Sequence, residues 1–255
     1  MFSLLFHVIL YKPLFNIFMF LYNVIPGHDV GFVILVITLA IRLAIYPLTS
    51  SSIRAQKSLQ ELQPKLEAIK KEYPNDKQKQ AQATMELYKN NKVNPFASCL
   101  PLVIQLPILI ALYLVLRDGL ASKNIAENLY PFIHNPEKIN QISLGVFNLA
   151  NPNVLLAVLA GAAQFWQTKM LMRRNAPPEA GAGAKDENMA AMMNKQMLYF
   201  MPVMTVIIGI KLPAGLTLYW FLSTLLMAIQ QLVVFKKHAA AGVKKENVIE
   251  GTIVK

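Results

Sequence analysis

Cysteine occurs once in the 255 residues, at Cys99, so no disulfide forms within one chain. It also lies too far from the N-terminus to serve as a lipoprotein anchor. The four histidines, His7, His28, His134 and His238, all fall outside the five long apolar runs. An intramembrane Ser or Cys nucleophile would therefore lack its usual general base. No Cys/His cluster has zinc spacing, no H-E-x-x-H occurs, and no G-x-x-x-x-G-K-[ST] phosphate loop is present. Metal, cofactor and nucleotide chemistry are not expected, and neither is an enzyme. Formal charge is scarcest of all: within the apolar runs it occurs only at Arg42. One cation without an intramembrane carboxylate is a poor proton relay.

What is present is apolar length. Hydrophobic residues make up 55% of the chain, and mean hydropathy is +0.38. Val93–Leu116 has 24 charge-free residues, Ile139–Thr168 has 30 and Leu212–Phe235 has 24. Each exceeds the ~20 residues that cross ~30 Å of hydrocarbon as a helix. Gln196–Ile210, with 15, spans with its flanks, and Val30–Ile53, interrupted by Arg42, makes the fifth. Only helices or closed barrels satisfy their backbone in lipid, so the expected fold is an all-α polytopic membrane protein.

The net charge of +11 follows the loops rather than any nucleic-acid site. Lys and Arg number nine in 53–92, five in 169–195 and five in 236–255, out of 25 in all. Alternate loops are thus basic. The positive-inside rule places the N-terminus outside and the C-terminus in the cytoplasm. The expected order is an outer-surface segment 1–29, span 30–53, cytoplasmic helical hairpin 54–92, span 93–116 and extracytoplasmic loop 117–148. Span 149–168, cytoplasmic loop 169–195, spans 196–210 and 212–235, and a poorly ordered tail 236–255 follow.

Within that order, "PLFNIFMFLYNVIPG" (13–27) reads as an interfacial helix ended by Pro26-Gly27, with a sixth span as the alternative. In the hairpin, Leu59, Leu62, Leu66, Ile69 and Tyr73 are spaced as one helical face. Pro74-Asn75-Asp76 breaks it, and a weaker amphipathic helix resumes over 77–91. An apolar stripe predicts a packing or partner surface rather than a bare spacer.

Arg42 is the chemical puzzle. Leu48 is six residues on, roughly 9 Å along a helix, and Arg54 is twelve residues on, roughly 18 Å. Snorkelling explains the first distance but not the second. A guanidinium left in hydrocarbon costs several kcal/mol, so it is expected to face water or polar groups inside the protein. Thr38 lies one turn away. Gln105, Gln164, Gln167, Thr217, Ser223 and Thr224 place further polar groups in the spans. Each alone reads as an interhelical hydrogen bond. As a set around a lone arginine they point to a hydrated cavity.

Two stretches then become specific. "NPFASCLPLVIQLPILIALYLVLR" (94–117) and "LPAGLTLYWFLSTLLMAIQQ" (212–231) resemble the paired signatures of the YidC-type membrane protein insertases. That family includes the mitochondrial oxidase-assembly and chloroplast thylakoid insertases. "TLAIRLAIYPLT" and the following "LQPKLEAIKKEYPNDKQKQAQATMELYKNNKVNP" resemble its first core span and cytoplasmic hairpin. The likeness runs from about residue 10 to 235. It implies five helices around a hydrophilic groove open to cytoplasm and lipid, with Arg42 as the groove arginine. It also implies Gln167 and Trp220 as groove partners, and Thr38, Tyr219 and Trp220 along a substrate path between first and fifth spans. Gln105 completes the candidate set.

The implied function is insertion of newly made membrane proteins without ATP hydrolysis. Nascent hydrophobic chains and the bilayer are the implied partners, with the Sec translocon and the ribosome as further candidates. Specific nucleic-acid recognition is not expected. The long extracytoplasmic domain of many members is absent here, and the tail resembles their strongly basic ribosome-binding tails only weakly. No transit peptide is apparent, which favours a bacterial plasma membrane. A small transporter or channel using Arg42 as an anion site, and a membrane-complex assembly scaffold, are the competing classes.

Overall fold

The computed structural model describes residues 2–98, 100–121, 125–172 and 198–253. It is helical almost throughout. Phe2–Phe6 (α1) runs through a π-turn, His7–Tyr11, into Lys12–Val24 (α2). The chain then reverses at Gly27 and His28, both at positive φ. Val30–Ala44 (α3), Tyr46–Glu61 (α4), Gln63–Glu72 (α5) and Lys77–Asn90 (α6) follow. A 3₁₀ turn at Pro95–Ser98 leads into Leu100–Leu120 (α7), then the short Ile125–Asn128 (α8). Ile142–Ser143 (β1) pairs antiparallel with Phe147–Asn148 (β2). Val154–Met172 (α9), Leu198–Gly209 (α10) and Ala214–Ile253 (α11) complete the order.

Leu4–Val24, Val103–Leu120 and Ala214–Lys236 are each long and apolar enough to cross a membrane. The pair α3 and α4 makes a fourth candidate, bent by 66° at the break. Segment 30–53, expected as one span, is therefore a broken one. Pro47, in the first turn of α4, has no N–H to continue the α3 ladder, and Ile45 takes a non-helical conformation. α10 is a shorter apolar helix, and α9 has 19 residues.

The buried centre joins α2, α3, α7 and α11. Phe15 and Phe18 of α2, Ile34 of α3, Leu112 and Leu116 of α7 and Tyr219 of α11 are buried in one cluster. Small residues let helices close up. A methyl on Gly209 of α10 would meet the Ala157 Cβ of α9 at 3.0 Å. α2 is tied to the 125–134 segment: the Asn16 amide donates to the Asn128 carbonyl and accepts from the Tyr130 N–H, and Asn23 donates to the His134 carbonyl.

The opposite end differs from expectation in two ways. The stripe read as one helix through Leu59 and Tyr73 breaks at Leu62, where Pro64 starts α5. Leu62 itself is buried, but neither α5 nor α6 buries a residue. The last helix also does not stop near Phe235 but continues to Ile253. Ala239, Ala240 and Ala241 are strong helix formers, and no proline interrupts them. The loop expected at 169–195 falls mostly outside the described residues.

Candidate functional site

Arg42 stands in the last turn of α3. The bend sets that position, because a helix ending at Ala44 puts Arg42 at the C-terminal end, which favours a cation. Its Nε and Nη2 both donate to the Ser223 Oγ of α11, at 3.0 and 2.5 Å. Ser223 is itself buried. One neutral oxygen thus receives two of the five N–H groups of a fixed cation. Ion pairs such as Lys57–Glu61, Lys79–Asp76 and Arg117–Asp118 lie elsewhere, and among the described residues no carboxylate lies within ion-pair distance of Arg42.

One turn before Ser223, the fully buried Tyr219 accepts a 2.8 Å hydrogen bond from Gln105 Nε2 of α7. Arg42, Ser223, Tyr219 and Gln105 therefore form a polar line through α3, α11 and α7. Of the six residues proposed from sequence, Arg42, Tyr219 and Gln105 lie on this line. Thr38 lies one turn above Arg42, but it is fully buried and its hydroxyl donates to its own helix, at Ile34 O. Gln167 on α9 and Trp220 on α11 are half-buried, and no hydrogen bond joins either to Arg42. Ser223, the direct partner, was visible in the sequence only as one of several polar span residues.

The far end of α3 is a lock rather than a groove. Asp29 caps the helix, accepting from Gly31 N–H at 2.7 Å and Phe32 N–H at 3.4 Å. It also accepts from Ser143 Oγ at 2.5 Å and Leu144 N–H at 2.7 Å, fastening the β1–β2 hairpin to α3. Burial pushes the Asp29 carboxyl upward, but the Leu144, Ser143, Gly31 and Phe32 hydrogen bonds outweigh it and hold it below the usual carboxylate range. Two clefts, of about 490 and 660 Å³, lie near the Leu120 end of α7, and neither is lined by Arg42. Among the described residues no cluster of His, Cys, Asp or Glu has the makings of a metal site.

Fold and site define a class: a polytopic helical membrane protein with a guanidinium inside its bundle, answered by a neutral hydroxyl. Residues 19–241 match the family of the 60Kd inner membrane protein. The membrane protein insertase YidC of Fusobacterium nucleatum is 36% identical over 232 residues, 90% of this chain and 98% of the relative. The YidC insertase of Oceanobacillus iheyensis is 34% identical, over 81% of this chain and 74% of its own. That of Shewanella halifaxensis is 32% identical over 91% of this chain but only 38% of its own. A crystal structure of active YidC insertase with its first transmembrane domain resolved superposes with a TM-score of 0.56. It is 25% identical, and the match covers 90% of this chain and 46% of that one. The chain belongs to the YidC family of membrane protein insertases. It is a multi-pass inner membrane protein whose function is membrane protein insertion.

Proposed function

We propose that Arg42 is the receiving charge of a hydrated groove through which nascent hydrophobic proteins enter the bilayer without ATP hydrolysis. The observation that carries this reading is that no carboxylate among the described residues pairs with Arg42. A cation held inside a bundle normally has a carboxylate partner. Among the described residues the half-buried Arg42, in the last turn of its helix, has the Ser223 hydroxyl instead. That arrangement holds the guanidinium in place while leaving its charge uncancelled. An acidic residue in the polar part of a substrate supplies the absent partner for a moment, and attraction at that depth exceeds its value in bulk water. The apolar substrate helix then partitions into lipid, which drives the step. Nothing is cleaved.

The N-terminus is placed outside and the C-terminus in the cytoplasm. The basic loops support this, and hydrogen bonds from Asn16 and Asn23 tie α2 to residues 128–134 of the loop expected outside. On this reading α2 is an outer interfacial helix, α3 to α11 supply five spans, and α5–α6 form a cytoplasmic reception hairpin. That hairpin is the surface from which the Sec translocon or a ribosome would hand over a chain. The test is insertion of a single-span protein with an acidic N-terminal tail into liposomes, scored by protease protection of the tail. Wild type and Arg42→Lys insert; Arg42→Ala does not. Equal insertion by all three returns Arg42 to a structural role.

A further inference from the structure

The smaller of the two clefts, about 490 Å³, lies between the α1 and π-turn segment and α7. On its α7 side stand Ile110, Leu114 and Arg117, spaced four and three residues apart along one helical face. From Ile110 to Arg117 is roughly 10 Å at the helical rise. Phe6, His7 and Tyr11 form the facing wall. Pro13, in the first turn of α2, has no N–H to give the Ile9 carbonyl, and the Lys12 N–H reaches back to the His7 carbonyl, which makes the π-turn. In that turn the His7 and Tyr11 rings lie 4.8 Å apart.

The cleft is charged at the end of α7 and apolar along its length. Asp118 accepts from the Tyr11 hydroxyl on one oxygen, at 2.9 Å, and from Arg117 Nε on the other, at 2.8 Å. That contact uses one of the five N–H groups of Arg117, whose side chain is 55% exposed and lines the cleft. Lys12 follows Tyr11, and its Nζ lies 5.6 Å from the centre of the Tyr130 ring, two residues from the cleft-lining Asn128. Glu127, beside Asn128, is exposed and does not line the cleft. Two cations thus stand against one carboxylate that is already engaged on both oxygens. The surroundings are apolar and open: Leu4, Leu5, Val8 and Ile9 are 56–69% exposed, and Ile110 is 50% exposed. Leu4–Val24 and Val103–Leu120 are both long and apolar enough to cross a membrane, so the medium beside the cleft is lipid.

We propose that this cleft seats one anionic glycerophospholipid from the leaflet at the Leu120 end of α7. Its phosphate meets Arg117, and one acyl chain lies along Leu114 and Ile110. The chemistry selects this occupant. A guanidinium fork matches phosphate oxygens bidentately, and Asp118 holds the fork in place. The last turn of a spanning helix lies where hydrocarbon gives way to headgroups, so the charge and the phosphate share a depth. An acyl chain gains little by leaving lipid for an apolar groove, so the headgroup decides which lipid stays. Among the described residues lining the cleft the only carboxylate is Asp118, which has no oxygen to spare for a choline or ethanolamine nitrogen. A headgroup of net negative charge is therefore preferred. The site is remote in sequence and structure from Arg42 and Ser223, and its occupant is a resident lipid that clips α1 to α7 rather than a substrate.

Native mass spectrometry of the full chain tests this, after equilibration in detergent with equal amounts of phosphatidylglycerol and phosphatidylcholine. Wild type is expected to retain one phosphatidylglycerol with about tenfold preference, the ratio that one charge-assisted contact supplies. Arg117→Gln is expected to lose that preference and Arg117→Lys to keep part of it. Ile110→Trp fills the apolar floor while leaving every polar group of the cleft in place, and is expected to lower retention of the lipid. It carries the test alone should circular dichroism show that Arg117→Gln does not fold. Equal retention of phosphatidylglycerol by wild type, Arg117→Gln and Ile110→Trp overturns the site. Release of the lipid by inorganic phosphate overturns a phospholipid as the occupant. Retention of phosphatidylcholine by wild type as well as phosphatidylglycerol overturns the selection by charge.

Discussion

Ser223→Asp places a carboxylate where the Ser223 hydroxyl now meets Arg42 at 2.5–3.0 Å. If the uncancelled charge of Arg42 is what receives a substrate, a resident carboxylate becomes its permanent competitor. At a separation of ~4 Å and an effective dielectric of about 20, the attraction is ~4 kcal/mol. At about 1.4 kcal/mol per factor of ten, that is up to roughly a thousandfold disadvantage for a substrate carboxylate seeking the same guanidinium. Ser223→Ala gives the contrast. It removes hydrogen bonds to a charged group, worth ~1.5–3 kcal/mol of positioning, but leaves the charge available. The assay is the liposome insertion rate for two substrates that differ only in an acidic or a neutral tail. Ser223→Asp is expected to lose the acidic-tailed substrate while keeping the neutral one, and to unfold no more readily than wild type. Ser223→Ala is expected to keep both at reduced rates. The reasoning fails if Ser223→Asp inserts the acidic tail as fast as wild type, or loses both substrates equally while remaining folded.

Two further predictions concern the lock at the start of α3. A methyl added at Gly31 would sit 2.2 Å from Ser143 Oγ, so Gly31→Ala is expected to cost ~1–3 kcal/mol of overpacking. Thermal unfolding in detergent measures this, and Ser143→Gly in the same chain is expected to recover most of the loss. Asp29 is held below its ordinary pKa in the folded protein, so it contributes stability above the unfolded carboxylate's pKa. That contribution disappears as pH falls through the lower folded value. Melting temperatures of wild type and Asp29→Asn should differ near neutrality and converge under acid, and a constant gap would refute the assignment.

The helical membrane class and Arg42 were legible because both are signals of composition along the chain: long charge-free runs and one charge inside them. Ser223 as the partner of Arg42 was not legible, since the two are 181 positions apart and a lone serine on a helix carries no mark of what it faces. The hydrogen bond that Thr38 makes was not legible either. Spacing puts that residue one turn from Arg42, but a threonine in lipid satisfies its hydroxyl most cheaply on the preceding turn, as Thr38 does with Ile34. The β1–β2 hairpin was hidden inside an apolar run. "SLGVF" marks it only by the pair Leu144-Gly145, whose positive φ values make the turn. The extension of α11 did leave a signal, the alanines after His238, which the loss of apolar periodicity overrode.

The bend at Ile45 links two polar features of the structure, the Arg42–Ser223 contact and the hydrogen bonds of Gln230 to α4. Pro47 ends α3 two residues after Arg42, so the cation belongs to the last turn of a helix, the end that favours positive charge. The same break redirects α4 by 66°, turning Tyr46, Thr49 and Ser50 onto Gln230. A straight helix through residue 53 would bury the ends of its ladder and leave neither a terminus for Arg42 nor a carbonyl for Gln230. One proline therefore sets both the helix end that carries Arg42 and the packing of α4 on Gln230. This is why the Arg42–Ser223 contact and the Gln230 hydrogen bonds occur on adjoining turns of one bent helix pair.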